Sequence, residues 1–215
     1  MDRAHLEIIF LCGLVLLIIL LWPYINDHFT RKHLNYFSKK ERLLLIYMFI
    51  GFILLPILYI FSTWFSFFDY YLPKRLGFLS AICYGSGIWL FFRAHADLSP
   101  FWSPGLEIKE GHLLITKGLF KWVRHPMYAS LVLIAVSQIF MLQNWIVGPA
   151  FLVLAIPFYI HHVQREEQQL IMHFGNEYLL YMEQTNALFP KKRQIYNLLG
   201  SIRTFHFQNW TKRKD

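Results

Sequence analysis

The stretch "MYASLVLIAVSQIFMLQNWIVGPAFLVLAIPFYI", residues 127–160, contains no Asp, Glu, Lys or Arg. Only Gln143 and Asn144 interrupt its two apolar runs. A helix needs roughly 20 apolar residues to cross a bilayer, and runs of this kind bury themselves in lipid. A two-residue break leaves room for a tight antiparallel turn and little else. The stretch therefore predicts a helical hairpin, Met127–Leu142 followed by Trp145–Ile160, with the second helix able to run on to Val163. Gly148, Pro149 and Pro157 are compatible with it, because neighbouring helices can satisfy the backbone groups that they free.

Working outward, three more blocks have the same character: Leu6–Ile25, Leu43–Phe61 with a possible extension toward Phe68, and Leu76–Phe92. The chain has 215 residues, 56% of them hydrophobic and 16% charged. Soluble domains carry about 25% charged residues, so the fold class is an all-α polytopic membrane protein with about five transmembrane helices. Little positive charge precedes the first block, and "WPYIND" offers no small-x-small cleavage site, so it reads as a retained helix and not a signal peptide. Cys12 and Cys83 fall inside spans and read as small core residues with no disulfide framework.

The charges orient the helices. With the N-terminus outside, 18 of the 21 Lys and Arg fall on the inner side, and only Arg3, Lys74 and Arg75 lie outside. Five spans then carry the chain from N-out to C-in, as the positive-inside rule requires. The formal net charge of +8 is a topology signal with some attraction to anionic lipid and calls for no nucleic acid. The bacterial inner membrane and the endoplasmic reticulum are both compatible compartments, and oligomeric state is open.

Three regions follow: 1–92 with three helices, 93–190 as the chemical core, and 191–215 as a basic tail. Phe205, Phe207 and Trp210 interleave the tail, which reads as lying on the membrane surface. The connection 93–126 contains Pro100, Pro104, Gly105, Gly111 and Gly118, so it breaks into short pieces. Its Trp102, Leu106, Ile108, Leu113, Leu114, Ile115, Phe120 and Trp122 favour folding against the membrane face. After the hairpin, Val163, Leu170, Ile171 and Phe174 share one helical face. Glu167 falls near the centre of that stripe and Glu166 at its edge. Gly175 reads as a helix stop, and Asn176–Met182 begins another amphipathic turn.

Two segments hold candidate chemistry. One is "GLFKWVRHPMYAS", residues 118–130. Arg124 fits a juxtamembrane basic cluster, and Pro126 fits a helix start, where its missing N–H costs nothing. Neither role accounts for His125 or Tyr128. The other is Glu166–Glu167, since carboxylates beside a bilayer are expensive and often functional; a salt bridge to Arg124 or Arg165 is the simpler reading. Metal binding is unsupported, because there is no H-E-x-x-H or Cys/His cluster and His161 and His162 are adjacent. P-loop and G-x-G-x-x-G motifs are also lacking.

Taken together, "HLLITKGLFKWVRHPMY" (112–128), the hairpin, and "REEQQLIMHFGNEYLLY" (165–181) followed by Pro190 resemble the isoprenylcysteine carboxyl methyltransferase family of integral membrane enzymes. Phospholipid N-methyltransferases look similar over the same region. The likeness runs from about Asp97 to Pro190. It implies S-adenosylmethionine as methyl donor, in a pocket on the cytosolic face. That pocket would be formed by His112, Leu113, Leu114, Ile115, Phe120, His125, Pro126, Met127, Tyr128, Glu166 and Glu167. The acceptor would be a lipid or prenylated group from the bilayer. Arg124, His162 and Arg165 form the catalytic set on the acceptor side. The family usually has tyrosine at Phe120, and arginine at His162, four residues before the cofactor glutamate. A carboxylate acceptor needs only a cation to hold it, which Arg124 or a protonated His162 could supply. An amine acceptor needs a base, which neutral His162 could be. A phospholipid N-methyltransferase, an NADPH-dependent membrane reductase of similar scaffold and a non-enzymatic membrane partner remain the alternatives.

Overall fold

The computed structural model describes residues 2–28, 38–99 and 113–191. It is all-α. Helix α1 spans Arg3–His28; α2, Lys39–Phe49, continues through a π-helical stretch, Ile50–Leu54, into α3, Leu55–Phe61. Then come α4, Lys74–Leu98; α5, Pro126–Leu142; α6, Val147–Phe174; and α7, Asn176–Gln184. By length and apolar content, Arg3–Leu20, Lys39–Phe61, Lys74–Leu98 and Val147–Phe174 suit a membrane span, while Pro126–Leu142 is shorter and also apolar. The chain is an integral membrane protein. Its outward faces carry exposed Ile8, Val15, Ile19, Phe78, Ile82, Trp89, Val153 and Ile156, a surface that lipid solvates and water would not.

The core forms where α4 packs on α1 and α5, and α6 packs on α5 and α2. Phe10 stacks on Tyr84 with centroids 5.4 Å apart, and the Tyr84 hydroxyl donates to the Phe10 carbonyl at 3.1 Å. The π-helical stretch has a local cause. Pro56 has no N–H to offer the Phe52 carbonyl, and its ring needs space there. The buried Gln138 amide donates to the Gly51 carbonyl at 3.1 Å and to the Val147 carbonyl at 2.9 Å. Gly51 lies so close to α6 that a Cβ would sit 2.9 Å from the Ala150 carbonyl oxygen. Small residues allow this approach between membrane helices.

Several helices differ from expectation at their ends. Helix α4 runs six residues beyond Phe92, to Leu98, because Ala94 and His95 are buried and Arg93 pairs with Asp97 one turn on, at 2.9 Å. Helix α2 starts at Lys39, ahead of Leu43, on a Ser38–Glu41 capping box. The last span and the amphipathic segment after it form one continuous helix, which ends at Gly175 with φ 55°. Cys12, expected in the core, is exposed: it lies on the outward face of α1. His112, the rest of 100–112 and the tail from 192 lie outside the described residues.

A polar cluster locks the end of the bundle opposite the candidate site. Gln143 turns the α5–α6 hairpin at φ 49°, and its carbonyl accepts from Tyr70 N–H at 2.9 Å. Asn144 accepts from the N–H groups of Ile146 and Val147, both at 3.0 Å, and donates to Asp69 at 2.8 Å. Asp69 also receives Arg3 at 2.6 Å and the Tyr59 hydroxyl at 2.9 Å. Burial opposes the charge on Asp69, but the hydrogen bonds from Asn144, Arg3 and Tyr59 outweigh it and hold the carboxyl below its ordinary range. The stabilisation is therefore complete above the ordinary carboxylate range and is lost as pH falls through the lowered value. Asp69→Asn should lower the melting temperature in detergent at pH 7, and its difference from the parent should shrink as the pH is taken below about 4. A difference independent of pH would contradict this account.

Candidate active site

The site lies at the other end, where the start of α5 meets the last turns of α6. Backbone contacts fix the approach to α5. Gly118 turns at φ 61°, and a Cβ there would strike the Asp97 carboxylate. Asp97 accepts from Leu119 N–H at 2.8 Å, which ties the turn to α4. Phe120 is buried, and its carbonyl accepts from the Tyr181 hydroxyl at 2.6 Å. Burial pushes the Tyr181 phenol up to about 12, so it remains a hydrogen-bond donor. The chain after α7 then straps the motif. Arg124 N–H donates to the Asn186 carbonyl at 2.9 Å, and His125 N–H to the Ala187 carbonyl at 3.0 Å.

This frame presents Arg124 and His125 to α6. Arg124 donates through Nε and Nη2 to Glu167 Oε1, both at 2.9 Å. Its Nη1 reaches the Met182 carbonyl at 3.3 Å and also the Thr185 carbonyl, where a cation complements the C-terminal end of α7. His125 is buried between the two carboxylates, with Nε2 3.0 Å from Glu167 Oε1 and Nδ1 3.6 Å from Glu166 Oε2. Glu166 Oε2 is itself buried and has no hydrogen-bond partner among the described residues. A buried carboxylate oxygen in that position is costly unless a ligand supplies its donors.

The sequence-selected residues fall into three groups. The structure brings together Arg124, His125, Glu166, Glu167 and Tyr128, whose ring lies 5.8 Å from that of His125. Pro126 opens α5, and Met127 packs toward the helix core. Leu113 is exposed, while Leu114 and Ile115 are half-buried. His162 and Arg165 form a separate, adjoining group around a residue that the sequence did not single out. Glu41 of α2, 1% exposed, takes His162 Nδ1 at 3.3 Å and Arg165 Nη1 at 2.5 Å. "SKKE" at 38–41 has the capping-box spacing, which could have revealed the helix start but not a partner 121 residues away. Asp97, Tyr181 and the 186–187 strap were also missed, because each acts through contacts distant in sequence.

Two cavities lie in this half of the molecule, one sharing Tyr128 with the cluster and the other bounded by the 114–121 segment and α7. An apolar one of about 140 Å³ is lined by Met48, Leu131, Leu152, Phe158 and Leu188, with Tyr128 and Tyr159 on the side of the carboxylates. A larger one of about 740 Å³, of mixed lining, is bounded by Leu114, Lys121, Glu177, Tyr181, Thr185 and Lys191. Chemically, Glu166 Oε2 can accept from a hydrogen-bond donor, and the apolar cavity suits an apolar chain.

Comparison with known proteins matches residues 80–172 to the model of the isoprenylcysteine carboxyl methyltransferase (ICMT) family. The human protein-S-isoprenylcysteine O-methyltransferase is 32% identical over 84 residues, which is 39% of this chain and 30% of that protein. The Schizosaccharomyces pombe enzyme of the same name is 27% identical over 123 residues, 57% of this chain and 51% of that one. The chain thus spans about half or less of the curated relatives that it matches. Among solved structures, the eukaryotic intramembrane Ras methyltransferase ICMT superposes with a TM-score of 0.51 at 21% identity, covering 68% of this chain and 49% of its own. That likeness shows the fold. The match to the isoprenylcysteine carboxyl methyltransferase family model thus covers the hairpin and both halves of the candidate site, and it leaves the first two helices outside it.

Proposed function

We propose that the protein transfers a methyl group from S-adenosylmethionine to an acceptor delivered by the membrane, and that the leading acceptor is a prenylated cysteine carboxylate, as the relatives' names suggest. The observation that carries this reading is Glu166 Oε2, buried beside His125 without a hydrogen-bond partner among the described residues, next to Tyr128 in the wall of the apolar cavity. The methyl donor carries hydroxyl and amino groups that satisfy such an oxygen, and its positive charge suits a cluster in which Glu41, Glu166 and Glu167 outnumber Arg124 and Arg165. Glu166, His125, Tyr128, Phe120 and the 113–115 segment would hold it.

When bound, S-adenosylmethionine supplies a methyl carbon on a sulfonium that an in-line nucleophile can take. The chain's own part is to position and to exclude water. Arg124 is committed to Glu167 and to the end of α7, so we assign it to positioning: it holds Glu167 against His125. The excess of Lys and Arg at this end of the bundle supports a cytosolic placement. Each reactant then stays in its own solvent until the two meet at the boundary.

In detergent, S-adenosylmethionine at 100 times its dissociation constant should stabilise the protein by about 2.7 kcal/mol, read as a rise in melting temperature. His125→Ala and Glu166→Gln should abolish the rise; its persistence in both would place the donor elsewhere. The Arg124–Glu167 pair is checked separately by a double-mutant cycle on thermal unfolding. Glu167→Gln should cost about 2 kcal/mol, intermediate between exposed and fully buried pairs. Arg124→Met combined with Glu167→Leu should cost less than the sum of the single changes. Additive losses would show that the two side chains are not coupled.

A further inference from the structure

Helix α6 carries a second orphan oxygen. Gln169 Oε1 is buried and, like Glu166 Oε2, has no hydrogen-bond partner among the described residues. The two residues stand three apart on α6, so they are neighbours on one face, with Cβ atoms about 5–6 Å apart. Gln169 lies one turn nearer the end of the helix at Gly175. Arg165, one turn before Gln169, is paired with Glu41 at 2.5 Å. Each buried oxygen left unpaired is costly. Two of them side by side on one face are explained most simply by a single molecule that brings two donors.

The types of the two side chains say what that molecule presents. A carboxylate suits hydroxyls or an ammonium. A carboxamide is neutral and carries an acceptor beside a donor, so its full complement is an edge with the opposite pair. In S-adenosylmethionine that edge belongs to adenine, where the exocyclic amine stands next to a ring nitrogen, and Asn and Gln pair with adenine in this way in other settings. The ribose offers hydroxyls and the methionine end offers full charges, for which Glu166 is the better partner.

We propose that Gln169 reads the adenine of the methyl donor: its Oε1 accepts from the 6-amino group, its Nε2 donates to a neighbouring ring nitrogen, and Glu166 takes the hydroxyl or amino groups of the same molecule. The proposal deepens the methyltransferase reading given above and rests on it. It makes Gln169 a specificity residue for the donor, with no part in the transfer step and no bearing on the acceptor. It also implies that the ligand-free protein holds Gln169 Oε1 unpaired at a cost, which an apolar side chain of similar size would remove.

Two measurements in detergent test this. In the first, calorimetric titration compares S-adenosylhomocysteine with its analogue bearing hydrogen in place of the 6-amino group. The wild-type protein should bind the parent compound about tenfold more tightly, the upper end of one net hydrogen bond, because the analogue leaves a buried acceptor unpaired. Gln169→Leu should bind both compounds with the same Kd, close to that of the wild type for the analogue. Gln169→Glu, which keeps an acceptor, should keep the preference for the amine. In the second, thermal unfolding without ligand should show Gln169→Leu at least as stable as the wild type. A wild-type protein that binds both compounds equally overturns the proposal without any variant. So does a Gln169→Leu protein that keeps the tenfold preference, or one that melts lower than the wild type without ligand, since its oxygen then has a partner within the chain. If the wild-type protein binds neither compound, the methyltransferase reading itself is overturned, and this proposal falls with it.

Discussion

The site depends on one ionic clasp. Arg124 and His125, at the threshold of α5, close on Glu167 near the end of α6, and His125 also faces Glu166 of the same helix at 3.6 Å. Each partner is held from behind. The 186–187 strap fixes the Arg124 and His125 backbone, the end of α7 accepts the third arm of the guanidinium, and α6 is anchored at its far end by Asn144. A pair of this kind, more than four-fifths removed from solvent on each side, has little stability to spare once a partner is removed. Its value lies in fixing position. It sets His125 between two carboxylates and leaves one oxygen of Glu166 open.

The division of the bundle into two ends follows from where polar groups can be satisfied. At the end with Asp69, the polar groups are matched among themselves: Arg3, Tyr59, Asn144 and the hairpin carbonyls close a network that needs nothing from outside. At the other end Glu166 Oε2 is left without a hydrogen-bond partner among the described residues, beside the Tyr128 wall of the apolar cavity. A buried network that is complete rigidifies, and one that is incomplete is where a ligand belongs. The contrast inside one molecule is a physical reason to look for chemistry at the second end.

Much of this was legible in the sequence, for identifiable reasons. The uncharged run 127–160 announced the hairpin, and Gly175 announced the end of α6, because both signals are local. The juxtaposition of His125 with Glu166 and Glu167 came from resemblance and not from periodicity, and the structure places them in contact. Glu41 was invisible. It sits in a charged patch that reads as a helix start and a topology signal, and its partners His162 and Arg165 lie on another helix. The commitment of Arg124 to Glu167 was anticipated only as the simpler alternative to a role in holding the acceptor. Cys12 misled, since membrane helices expose small and apolar residues alike to lipid, and composition does not tell the lipid face from the core.

The most direct test is an experimental structure of the full chain in a lipid nanodisc with S-adenosylhomocysteine bound. The account requires the ligand to lie against Glu166 and His125, with its hydroxyl or amino groups on Glu166 Oε2 and the 113–115 segment beside it. A ligand bound away from this cluster, with Glu166 still unpartnered, would contradict it.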